Sequence, residues 1–143
     1  MTVVIKRVYE PASRGDGTRV LVDRLWPRGV AKASAALDEW LRDLAPSDEL
    51  RRWFHARPDH WQDFRKKYLK ELSQPESEGS LLQLYKLANQ RKRLTLLFAS
   101  KNETHNNAVV LKELLDGMRK PPTGTGPGAV YGIRKRGAAV RRR

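Results

Sequence analysis

Thr18-Arg19-Val20-Leu21-Val22-Asp23-Arg24-Leu25-Trp26 is β-branched and apolar over most of its length, and Pro27-Arg28-Gly29 breaks it. A run this short, apolar on both faces, suits a strand buried between covering layers. Two more runs have the same character: Val3-Val4-Ile5-Lys6-Arg7-Val8-Tyr9, closed by Glu10-Pro11, and Leu94-Thr95-Leu96-Leu97-Phe98-Ala99-Ser100. The long stretch between the second and third runs has helical periodicity. Strand, crossover and strand together predict a small layered α/β fold. Its sheet would be mainly parallel, with at least three strands flanked by helices.

The helical stretch divides at its polar breaks. Leu37, Trp40, Leu41 and Leu44 are spaced i, i+3, i+4, i+7, which predicts a helix that Ala45-Pro46-Ser47 stops. Ser47 reads as the N-cap of the next helix, with Asp48 and Glu49 in its first turn and Leu50, Trp53 and Phe54 inward. Trp61, Phe64, Tyr68 and Leu72 line a further helix, Gln74-Pro75-Glu76-Ser77 reads as a loop, and Leu81, Leu84, Tyr85 and Ala88 mark another helix. After the third run, Thr104 is placed to cap a helix reaching about Met118. Pro121-Pro122-Thr123-Gly124-Thr125-Gly126-Pro127-Gly128 can hold neither a helix nor a core. The reading is therefore one domain over 1–120 and a flexible basic tail over 121–143, with at most a short ordered piece at 129–133.

A chain of 143 residues is one domain by prior and can bury a core without disulfides. It has no cysteine, which fits a reducing compartment and excludes thiol catalysis and thiolate zinc sites. The N-terminal apolar run is too short for a signal peptide, and no stretch approaches the roughly 18 apolar residues of a membrane span. The expectation is a cytoplasmic protein with no membrane partner. There is no P-loop, no glycine-rich dinucleotide turn and no His-x-x-x-His pair, so no cofactor or metal is expected. Net charge is +13. The tail holds six of the cations (Arg134, Lys135, Arg136, Arg141, Arg142 and Arg143) and no acid, which leaves the first 120 residues at +7. Such a field attracts polyanions and phosphorylated small molecules.

Polar residues gather where the strands end. The second run closes with Asp23, Arg24, Trp26 and Arg28, and the third is followed by Lys101, Asn102, His105, Asn106 and Asn107. If the two strands are parallel neighbours, these residues share one rim, the usual ligand position in open α/β sheets. The first functional reading is a site for a phosphate-bearing or nucleotide-like anion. Arg24, Arg28 and Lys101 would bind the charge, assisted by Asn102, Asn106 and a stacking Trp26. Asp23 and His105 would be the candidate acid–base pair. A carboxylate set among Arg24, Arg28 and Lys101 is expected to be ionised and paired. The same residues also have a structural reading, in which Asp23 and Arg24 close the strand end as an ion pair and the asparagines satisfy the helix start. His55 and His60 bracket a loop but lack a third ligand, and a capping role suits them better.

The quoted blocks carry a resemblance. Arg19 to Gly29, Ala45-Pro46-Ser47 with Leu50-Arg51-Arg52-Trp53-Phe54, and Thr95 to Asn102 with His105 to Leu111 resemble the YeaO-like bacterial proteins. These form a domain-of-unknown-function family of the four-eight-eight series, and the likeness covers about residues 3–117. It implies a small α/β domain with no established activity. Other branches carry cysteines near the strand ends, so no thiol-based role transfers to this chain. Members commonly stop near the helix that ends at Met118, and the basic tail departs from that pattern.

The second functional reading is non-specific nucleic-acid binding through the basic tail and body, with Tyr131 available for base stacking. A purely structural interaction module is a third, without an exposed apolar stripe to recommend it.

Overall fold

The computed structural model describes residues 2–90 and 93–122. Strands β1 (Thr2–Arg7), β2 (Thr18–Leu21), β3 (Glu39–Trp40) and β4 (Arg93–Phe98) form one parallel sheet in the order β1-β4-β2-β3. The three apolar runs are β1, β2 and β4. The ends of β2 and β4 lie side by side, Leu21 opposite Leu97, as their matching runs predict. The helices are α1 (Lys32–Ala35), α2 (Asp48–Ala56), α3 (Trp61–Leu72), α4 (Pro75–Gln90) and α5 (Asn107–Gly117).

Strand alternation divides the core in two. Val3, Val20, Val22, Leu94, Leu96 and Phe98 pack with α2 to α5 in a large apolar cluster. Val8, Leu21 and Leu97 face the other way and are covered by Trp26, Val30, Leu37 and Trp40. Ser47 caps α2 as expected, its hydroxyl accepting from the Leu50 N–H at 3.1 Å.

The helix expected over Leu37 to Leu44 does not form. Ala36 ends α1 in the left-handed region at φ 48°, Glu39–Trp40 pairs with β2, and Arg42–Leu44 is a 3₁₀ turn. The Asp38 carboxylate accepts from the Arg19 N–H at 2.8 Å, and the Leu41 N–H donates to the Leu21 carbonyl at 2.9 Å. The Trp40 indole N–H donates to the Asp23 carbonyl at 2.7 Å. The Asp38 N–H also donates to the Arg19 carbonyl at 2.8 Å, so backbone groups that a helix would have satisfied locally pair with β2 instead, and the Asp38 carboxylate and Trp40 indole gain partners there as well. Two boundaries also differ. α4 starts at Pro75, inside the expected loop, because proline is well suited to a first helical turn. α5 is capped by Asn106 rather than Thr104, its amide oxygen accepting from the Val109 N–H at 3.0 Å.

Among the described residues no helix is long and apolar enough to cross a membrane. The tail expectation, including its six cations, falls beyond residue 122 and outside the described residues.

Candidate functional site

After β2 the chain passes to the face where Trp26, Val30 and Leu37 cover Leu21 and Leu97. After β4 it enters α5 on the opposite face, where Ala108, Leu111 and Leu115 join the large cluster. Adjacent parallel strands whose exits part this way leave a crevice at their carboxyl ends. Asp23 stands in it. Its Oδ2 accepts from the Ala99 N–H at 2.9 Å, and its Oδ1 accepts from the Asn107 amide at 3.0 Å. The same Asn107 amide donates to the Val22 carbonyl at 2.9 Å. One carboxylate thus joins the end of β2, the end of β4 and the start of α5. Burial pushes the Asp23 carboxyl above its ordinary value, and the hydrogen bonds from Ala99 and Asn107 pull the other way.

The expected ion pairing of Asp23 is therefore corrected. Among the described residues Asp23 forms no salt bridge, and Arg24 reaches instead to the carbonyls of Pro46 and Ala45 at 3.4 and 3.3 Å. Consecutive residues leaving a strand point apart, and Arg24 finds carbonyl acceptors on its own side.

The other rim residues are held mostly by local bonds. The Asn102 side-chain oxygen accepts from the N–H groups of Thr104 and His105 at 3.0 and 2.9 Å. Its backbone carbonyl accepts from the Asn106 amide at 2.8 Å. Asn106 is buried and caps α5. His105 stacks on Trp61 with ring centroids 4.6 Å apart and an interplanar angle of 10°. The Trp26 indole packs edge-on against Trp40 and donates to the Val30 carbonyl at 2.8 Å. Arg28 and Lys101 are exposed, and neither side chain meets a partner among the described residues.

Sequence reading missed a second polar centre, at the opposite end of β2. Asp16 is buried and accepts from Lys6 at 3.0 Å, from Arg19, and from the Ser13 backbone and hydroxyl. Burial pushes its carboxyl up, but the hydrogen bonds from Lys6, Ser13 and Arg19 outweigh that and hold it at about 2. Arg19 is 4% exposed and also donates to the Ala35 carbonyl at 2.7 Å. Gly17 at φ 66° lets the chain pass Arg93, where a Cβ would lie 2.3 Å from the carbonyl oxygen. The available signal was Arg19 itself, a charge inside a buried strand that demands a partner.

The α2–α3 surface is basic and partly aromatic. Arg57 and Lys67 lie over the half-buried Trp53 ring, 5.2 and 5.0 Å from its centroid. His60 meets the same ring edge-on at 6.0 Å and reaches Asp63 at 3.3 Å. Lys66 and Lys70 share the exposed face of α3 with Lys67, and Arg52 is exposed on α2. None of these lysines and arginines meets a carboxylate among the described residues. No group of His, Asp and Glu there is arranged to hold a metal ion.

Comparison with known proteins agrees with the sequence resemblance. The family described as "Inactive DUF488-N3 subclade" matches residues 2–123. The uncharacterised protein YeaO of Escherichia coli K12 is 49% identical over 117 residues, 80% of this chain and 97% of that protein. An uncharacterised protein of Mycobacterium tuberculosis H37Rv is 39% identical over 115 residues, 80% of this chain and 94% of its own. No solved structure matches the chain significantly.

Proposed function

The chain belongs to the DUF488 family, within the subclade described as inactive, and on that footing we propose that it is a non-catalytic domain that binds polyanions, nucleic acid foremost. The observation that carries this reading is the α2–α3 surface. Arg52, Arg57, Lys66, Lys67 and Lys70 have no carboxylate partner among the described residues, and Trp53 lies among them. Uncompensated cations neutralise phosphates without reading sequence, and an indole adds a stacking surface. Arg134, Lys135, Arg136, Arg141, Arg142 and Arg143 add six charges to the chain's net positive charge. The strand-end crevice supports the non-catalytic part. Both Asp23 oxygens already accept protein hydrogen bonds, and His105 is packed on Trp61.

A compact anion at the strand-end rim is a second reading, favoured by the unpartnered Lys101. Binding to a labelled single-stranded oligonucleotide across a salt series separates the two. The full chain, a chain ending at Lys120 and a Lys66, Lys67, Lys70→Gln variant are compared. In both altered chains the slope of log K against log salt is expected to flatten by about 0.7 for each phosphate that is no longer neutralised. Absence of binding by the full chain at low salt overturns the proposal. Competition by inorganic phosphate alone, with unchanged slopes, selects the rim reading.

A further inference from the structure

A groove of about 340 Å³ opens between the segment after β2, the turn at Arg42–Leu44 and the facing ends of α3 and α4. That volume is at the lower end of ordinary ligand sites, about 300–1,000 Å³. Its walls are fixed. Tyr68 and Leu72 are fully buried and line it, and the Tyr68 hydroxyl donates to the Leu44 carbonyl. The Glu71 carboxylate accepts from the Ser47 N–H at 2.9 Å and from the Ser47 hydroxyl at 2.7 Å, which fixes it in the wall while its negative charge stays on the lining.

Three charged groups on the lining are left with capacity to spare. Arg24 uses Nε and Nη2 on the Pro46 and Ala45 carbonyls, and its Nη1 has no partner among the described residues. Asp43 and Glu76 are exposed lining residues, and neither carboxylate has a partner among the described residues. Exposed carboxylates of this kind pair with ammonium groups through charge-assisted hydrogen bonds.

We infer that the groove binds a free dibasic α-amino acid. The lining carries one guanidinium and three carboxylates, Asp43, Glu71 and Glu76, a net negative charge that suits a ligand with two cations and one carboxylate. Arg24 takes the ligand carboxylate through its Nη1, in a charge-assisted hydrogen bond. Asp43 and Glu76 take the α-ammonium and the side-chain cation. This site is independent of the α2–α3 surface, and its success or failure leaves the polyanion reading untouched.

The test is a titration of the full chain followed by amide chemical shifts, using L-lysine, L-norleucine and cadaverine as probes. Norleucine lacks the side-chain cation, and cadaverine lacks the carboxylate. L-lysine is expected to bind most tightly and to shift the amides of Ser47 and Ser77. Glu76→Gln and Asp43→Asn, both exposed and unlinked to the fold, are each expected to weaken L-lysine about twofold to fivefold. No shift with L-lysine at millimolar concentration overturns the inference. So does equal binding of L-lysine and cadaverine, or equal affinity in the wild type and both variants.

Discussion

Asp16, buried, and Asp23, half-buried, bracket β2, yet opposite means hold them. Asp16 sits between two cations, Lys6 and the buried Arg19, and its carboxyl is held at about 2. Asp23 has only uncharged donors, the Ala99 N–H and the Asn107 amide, and burial raises its carboxyl. The first end of the strand is an electrostatic joint, whose loss strands a buried charge. The second is a hydrogen-bond staple across the crevice where an α/β sheet commonly receives a ligand. The cations near the second end do not meet Asp23: Arg28 and Lys101 are exposed, and Arg24 is held on the Pro46 and Ala45 carbonyls.

Substitution at the two ends separates these roles most sharply. Asp16→Asn leaves Arg19 buried without its counter-charge and is expected to cost about 3–5 kcal/mol in chemical denaturation. A cost below that of the same change at Asp23 would remove the distinction between the ends.

The pH dependence of stability is the next largest effect. The folded Asp16 carboxyl is depressed from 3.8 to about 2. Its contribution is therefore present above about pH 3.8 and lost as pH falls toward 2, a loss of roughly 2 kcal/mol. Asp23 has the opposite sign. Its raised folded value means that the native state holds a proton more tightly than the unfolded chain, so stability falls as pH rises through the window above 3.8. Melting curves against pH should lose the acid limb in Asp16→Asn and the opposing limb in Asp23→Asn. Identical profiles in the two variants would contradict the assignment.

Asp23→Asn should cost less, about 1–2 kcal/mol. An amide in place of the carboxylate sets an NH₂ group against one of two fixed donors, but it strands no cation. An unchanged melt would show that the staple contributes nothing. Smallest of all, replacing Lys66, Lys67 or Lys70 with Gln should move stability by no more than about 0.5 kcal/mol each, since these side chains are exposed. A larger loss would mean that they serve the fold instead of a partner.

How far the sequence foretold this depends on how far apart the interacting residues lie. β1, β2, β4 and the capped α2 were legible because apolar runs and an N-cap are local signals. The Leu37–Leu44 helix was misread because Asp38, Trp40 and Leu41 find their partners in β2 and just beyond it, which periodicity does not register. Asp23 was assigned by charge to Arg24, Arg28 and Lys101, whereas its partners are uncharged, the Ala99 N–H and the Asn107 amide, the latter 84 positions away. The meeting of the β2 end with the β4 end and the start of α5 was legible, and so was the basic character of the chain. The Arg24 groove was not, because its walls come from four separate segments.

The central claim is that polyanion binding belongs to the outer basic surface and that the strand-end crevice is closed by its own side chains. Amide and indole chemical shifts of the full chain, titrated with a single-stranded oligonucleotide at low salt, test it most directly. The account predicts shifts at the Trp53 indole and along Lys66 to Lys70, with the Ala99 amide and the Asn107 side-chain amide unmoved. Shifts centred on Ala99, Asn107 and Asp23, with α2 and α3 silent, would contradict it.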